Sequence, residues 1–135
     1  MTYKILSHTA DLRMAASGKD YREIFESALA GMADILKQGA GRFPAVKKRK
    51  IKIASPDYAA LLIDFLNEAL YLAQTNNEVY FIVHFKDLSP TGLEAEISGI
   101  PTEKFDEDIK AATYHEIEIH KNKKGELEAI IVFDV

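Results

Sequence analysis

The sequence predicts an α+β fold, with two helices packed on a mostly antiparallel sheet. Three observations carry this reading. Two stretches, 20–38 and 55–74, repeat apolar residues at helical spacing. Short β-prone runs surround them, and those in the second half are joined by hairpin-type turns. The order is strands, helix, strand, helix, then several strands, which differs from the regular alternation of a parallel α/β protein. A chain of 135 residues suits one domain, 1–135, with a sizeable core.

Each element has a local reason. Tyr3 to Leu6 is β-prone, and after a turn at His8–Asp11 the strand pattern resumes with Leu12, Met14 and Ala16. Gly18 ends it. Asp20 followed by Glu23 is a capping-box pattern. It opens a helix whose Ile24, Phe25, Ala28, Leu29, Met32, Ile35 and Leu36 share one face, and Gly39 and Gly41 stop it. Lys47 to Ala54 places Ile51 and Ile53 inward and lysines outward, as on an edge strand. Ser55-Pro56-Asp57 reads as a helix start, with Ser55 as N-cap and Pro56 in the first helical position. A broad stripe from Leu61 to Ala73 follows, and it needs a sheet or a helix over it. Val79 to Phe85 and Thr91 to Ser98 are strands joined at Ser89-Pro90-Thr91-Gly92. Gly99 to Asp108 reads as an acidic loop or short helix. Tyr114 to His120 alternates Ile117 and Ile119 with polar residues, which predicts a strand. Lys121 to Gly125 is a hairpin turn. Leu127 to Phe133 is nearly all apolar, as for a central strand. The strand–capped helix–strand order occurs twice, a faint internal echo.

Composition excludes several functions. The formal net charge of -4 argues against electrostatic binding of nucleic acid by the chain as a whole, so contact with RNA is expected to be local or indirect. There is no cysteine, hence no disulfide, no thiolate zinc site and no cysteine nucleophile. No apolar run reaches the roughly 18–20 residues of a membrane span, and the opening residues do not read as a signal peptide. A cytoplasmic protein without membrane contact is the expectation. Gly39-Ala40-Gly41 lacks the rest of any phosphate-binding glycine fingerprint, and no nucleophile stands in a recognisable triad.

The two chain ends hold the sharpest chemical signal. If the last strand lies near the first, Asp11, Asp134 and the carboxylate of Val135 meet. Carboxylates so placed repel one another unless a cation or a partner's positive group sits among them. Oxygen donors alone suit calcium, magnesium or manganese rather than zinc. The plainer alternatives are a turn aspartate at Asp11 and a solvated terminal residue at Asp134.

Four motifs stand in order along the chain. They are His8-Thr9-Ala10-Asp11, Leu61-Leu62-Ile63-Asp64-Phe65-Leu66-Asn67-Glu68, Lys110-Ala111-Ala112-Thr113-Tyr114-His115 and Val132-Phe133-Asp134-Val135. Together they resemble the signatures of the archease family over nearly the whole chain. Departures are Leu12-Arg13-Met14, where a glycine is common in relatives, and Ala112, where valine is usual. The resemblance implies tandem strand–helix–strand–strand units. It also implies an accessory protein that activates an RtcB-type RNA ligase. That ligase joins a 3′-phosphate or 2′,3′-cyclic phosphate to a 5′-hydroxyl through a guanylylated histidine, with GTP and divalent metal. The implied role is to promote guanylylation and multiple turnover in tRNA splicing and RNA repair. Relatives have also been linked to a tRNA methyltransferase.

With the resemblance added, Asp11, Asp134 and Val135 are expected to hold the divalent metal. His8 reads either as a core or cap histidine or as a partner bonded to a ligand carboxylate. Lys110 reads as a surface lysine or, from the family motif, as an ammonium offered to phosphate or to a partner's carboxylate. His115 can titrate near neutral pH and move a proton or hold phosphate, while Tyr114 can simply pack. Asp64 and Glu68 read as a solvated stripe, and Lys47–Lys50 as a guarded edge strand or a local phosphate contact. The competing functions are a metal-dependent hydrolase using Asp11, Asp134, His8 and His115, and a chaperone-like module for a tRNA-modifying enzyme.

Overall fold

A computed structural model of the chain describes residues 1–6 and 11–135. The strands are β1 (Thr2–Leu6), β2 (Leu12–Gly18), β3 (Lys47–Ala54), β4 (Glu78–Ser89), β5 (Gly92–Pro101), β6 (Ala111–Thr113), β7 (His120–Lys121) and β8 (Leu127–Asp134). The helices are α1 (Tyr21–Leu36) and α2 (Tyr58–Asn76). The α+β class stands, but the strands divide into two sheets rather than one. The larger runs β1-β2-β8-β6, with β7 also paired to β8, and the smaller runs β3-β5-β4. All pairings among the described residues are antiparallel.

Both helices touch both sheets. α1 lies against β1, β2 and β8 of the larger and β4 of the smaller; α2 lies against β6 of the larger and all three strands of the smaller. The apolar faces read from the sequence meet between these layers. Phe25 of α1 and Phe65 of α2 are fully buried, with ring centroids 5.5 Å apart, and Phe85 of β4 packs on both. β8 occupies the middle of its sheet, which explains its apolar run; Ala129, Ile131 and Phe133 are fully buried. β3 is an edge strand, as its lysines require.

Helix starts follow the nearest strong acceptor. Asp20 accepts the Glu23 N–H at 2.9 Å, and Glu23 reaches back to the Lys19 N–H at 3.0 Å. The second helix departs from expectation: its N-cap is Asp57, which accepts from the Ala60 N–H at 2.8 Å, and not Ser55. A carboxylate at the positive helix end is the better cap, and Ser55 spends its hydroxyl elsewhere. The expected strand from Tyr114 to His120 is also corrected. The chain leaves β6 after Thr113 and turns, with Glu116 at φ 54, before β7 begins at His120. Ile117 and Ile119 alternate because both are partly buried against the core from an irregular segment. The 99–108 segment contains no helix, and β5 extends into it as far as Pro101.

Gly99 is required by a close approach. A Cβ there would lie 1.7 Å from the Val79 carbonyl oxygen. Its neighbour Tyr80 sits at a β-bulge, since Tyr80 pairs with Gly99 and Ile82 with Ser98, leaving Phe81 extra.

Candidate functional site at the end of the larger sheet

The two chain ends come together through strand register. Leu12, the first residue of β2, pairs with Phe133 of β8. Asp11 and Asp134 are therefore the next residues outward at one end of the same strand pair. On the other side of β8, Ala111 pairs with Asp134, and the Lys110 N–H donates to the Asp134 carbonyl at 2.8 Å. Asp11, Lys110, Asp134 and Val135 thus gather at one end of the β2-β8-β6 ladder. Lys110, Asp134 and Val135 are exposed, and Asp11 is half-buried. His8 lies outside the described residues.

Charge at this end is mixed. The Arg13 guanidinium stands 3.5 Å from a carboxylate oxygen of Asp11. Among the described residues Lys110 makes no ion pair, either with the 103–108 acids or with any other group. Asp11 and Asp134 are oxygen donors of the kind a hard divalent cation takes. Among the described residues, no three His, Asp or Glu side chains form a group able to hold a metal ion. Two side-chain carboxylates at this end therefore fit such an ion in donor type, while a complete cage needs a further oxygen.

A row of polar side chains on α2 fixes the segment that carries Lys110. Gln74 donates to the Ile109 carbonyl at 2.8 Å. Asn67 donates to the Ala112 carbonyl at 2.9 Å and accepts the Ala112 N–H at 2.8 Å. Tyr114 donates its hydroxyl to one oxygen of Asp64, and Ser55 donates to the other. Positions 64, 67 and 74 lie on one helical face. The 61–68 and 110–115 motifs are therefore physically joined. Asp64 is not the solvated residue expected from the sequence; it is bonded on both oxygens. Burial is light at Tyr114, so its raised pKa comes first from donating to Asp64, which favours the protonated phenol.

The remaining motif residue, His115, is exposed on the turn after β6. Its Nε2 stands 3.8 Å from the Glu116 carboxylate, and its backbone N–H meets the Thr113 hydroxyl at 3.4 Å. Asn67 is the residue that sequence reasoning missed. Its signal was a lone amide inside a long apolar stripe, a group that must find partners when partly buried.

Comparison with known proteins agrees with these motifs. The model of the Archease protein family (MTH1598/TM1083) matches residues 3–135. A protein named archease from Methanosarcina acetivorans is 29% identical over 141 residues, covering 98% of this chain and 95% of its own length. The archease of Thermoplasma volcanium is 30% identical over 138 residues, with 100% of both chains covered. The solution structure of Methanobacterium thermoautotrophicum protein 1598 superposes with a TM-score of 0.78 at 25% identity, covering 98% of each chain. A Thermotoga maritima structure described as an archease and possible chaperone shares the fold, with a TM-score of 0.62 at 22% identity over 98% of this chain and 96% of its own. This chain belongs to the archease family.

Proposed function

We propose that the chain is an accessory protein, not an enzyme, that activates an RtcB-type RNA ligase in the cytoplasm by promoting its guanylylation. The observation that carries this reading is the meeting of Lys110 with the chain's last residues. Its N–H on the Asp134 carbonyl sets a cationic side chain beside the end where Asp11 and Asp134 stand. Acidic and cationic groups side by side at an exposed edge suit a partner's phosphate and metal centre better than a self-contained active site.

Asp11, Asp134 and the terminal carboxylate of Val135 are the proposed ligands of a divalent cation, calcium, manganese or magnesium. Such an ion offsets their mutual repulsion and offers a positive centre to phosphate oxygens. Lys110 is the proposed contact to phosphate or to the ligase's own acids, and His8 and His115 are proposed to assist ligase activation. RNA contact is proposed to run through the ligase. The test is transfer of labelled GMP to the cognate ligase in a single turnover, with and without this chain, under limiting metal. Acceleration is expected. An unchanged rate with a ligase that binds the chain would overturn the reading.

A further inference from the structure

We propose that the outer edge of β1 accepts an extended segment of a partner protein as an added strand, and that this segment alternates apolar and acidic residues. The site is the outer border of β1, across β2 from β8, and the proposal does not depend on the function proposed above.

The strand orders leave β1 at the border of the larger sheet and β4 at the border of the smaller. Among the described residues, β1 pairs with β2 alone and β4 with β5 alone. Between the two borders lies a groove of about 600 Å³, lined by Tyr3, Asp34, Arg42, Phe43, Phe81 and Ile82 among others. Its apolar side chains are open to solvent: Phe43 is 60% exposed, and Tyr3 and Ile82 are each 37% exposed. An unpaired strand edge beside an apolar groove is the arrangement used in strand addition, where backbone bonds supply affinity and pockets take alternate side chains.

The two borders are not equivalent. β4 is interrupted at Phe81 and again near Lys86, where its register against β5 shifts. The first bulge turns the Phe81 ring into the groove and against Gly41, whose added Cβ would lie 3.9 Å from it. β1 keeps an unbroken register with β2 from Thr2 to Leu6. It is therefore the better template, and β4 contributes pocket wall.

Alternation along β1 sets the chemistry of the incoming chain. Tyr3 and Ile5 pair with Ala16 and Met14, both fully buried, and so lie on the inner face, where Tyr3 lines the groove. Lys4 pairs with Ala15 and lies on the opposite face. An added strand meets apolar neighbours at two positions and an ammonium between them. The Asp34 carboxylate is engaged, accepting from the Tyr3 hydroxyl at 3.0 Å and the Gly39 N–H at 2.9 Å. A second copy of this chain fits poorly, because antiparallel pairing centred on β1 sets Lys4 against its own counterpart.

The probe is an N-acetylated decapeptide alternating valine and glutamate, with two controls N-methylated at every valine or at every glutamate. Binding to the full chain is followed by calorimetry and amide exchange. The parent peptide is expected to bind and to slow exchange at least tenfold at those alternate β1 residues whose N–H groups face away from β2. One methylated peptide is expected to bind at least tenfold more weakly, because it lacks the donors that face β1. Lys4→Glu and Phe43→Ser, both at exposed positions, are each expected to weaken binding at least fivefold. No binding, equal binding of all three peptides, or protection centred on Lys50 and Lys52 instead of β1 would overturn the proposal. So would protection of β1 by self-association without peptide.

Discussion

Replacing Asn67 with alanine tests whether α2 positions the 109–115 segment. Ala112 faces β8 across the Phe133 pair, yet both its N–H and its carbonyl bond to the Asn67 side chain. β6 is a sheet edge of three residues, and Asn67 satisfies the outward groups of its central one. Ala112 is 3% exposed, so water replaces those bonds poorly. Two neutral hydrogen bonds contribute about 1 kcal/mol each, so Asn67→Ala is expected to cost about 2 kcal/mol. For a domain of this size that corresponds to a fall in Tm of roughly 6–10 °C. Urea unfolding gives the free energy, and amide exchange at Ala112 is expected to accelerate over that of Ile131 in the sheet centre. Asn67→Asp sharpens the test. It keeps the shape and the acceptor but loses the donor, and sets a carboxylate against the Ala112 carbonyl. Its deficit relative to the parent is expected to be larger at pH 7 than near pH 4, where a protonated carboxyl can donate. An Asn67→Ala protein within about 0.5 kcal/mol of the parent would refute the reasoning, since that is the scatter of an ordinary surface change.

Other expectations can be stated briefly. Asp11→Asn and Asp134→Asn should each abolish stimulation of ligase guanylylation with little change in Tm, and calorimetric titration with manganese should lose its heat. A C-terminal tag should depress stimulation more than an N-terminal tag, and equal activity of the two forms would remove the Val135 carboxylate from the site. Lys110→Ala should slow GMP transfer to the ligase without destabilising the fold, with partial rescue by Lys110→Arg; full activity of Lys110→Ala would leave function to the acids. The buried Glu78 accepts from Arg49 at 2.9 and 3.0 Å and from Tyr80 at 2.6 Å. The Arg49 bond, assisted by that from Tyr80, holds the Glu78 pKa low, while burial and the bond to Glu78 push Tyr80 up to about 12. Glu78's contribution is thus present above the ordinary glutamate range near pH 4 and lost as pH falls through its lowered value; Tyr80's is present below about pH 10 and lost between there and about 12. Glu78→Gln and Tyr80→Phe should flatten the acid and alkaline arms of the stability profile respectively.

How much of this was legible in the sequence depended on the range of each interaction. Periodicity located α1, α2, β3 and β8 because burial repeats along one element. It failed at 114–120, where Ile117 and Ile119 alternate but the backbone turns through a positive φ at Glu116. Side-chain spacing reports which residues seek the core and not whether a ladder partner exists. The division into two sheets was hidden for the same reason, since β3 pairs with β5 and β2 with β8 across long separations. Ser55 and Asp57 both carry capping chemistry, and local sequence did not choose between them. The choice follows from Asp64, which takes the Ser55 hydroxyl.

The candidate site divides in the same way. Its chemical groups were visible because carboxylates at two chain ends, and a lysine inside a motif, are unusual enough to notice singly. Its framework was not. The bonds from Asn67 to Ala112 span 45 residues and use backbone groups that no side-chain pattern reveals. Yet the requirement for them was present in the sequence. Asp64, Asn67 and Gln74 interrupt a helix otherwise built for burial, and partly buried polar groups must be paired. In this fold their partners are the backbone and tyrosine of the segment that begins beside Lys110. Helix polarity and the strand end are therefore linked: α2 holds the Ile109 and Ala112 backbone and the Tyr114 hydroxyl on either side of the segment that begins with Lys110. On that account a change at Asn67 should alter the presentation of Lys110 as well as stability, whereas a change at Lys110 should leave Asn67 and its bonds undisturbed.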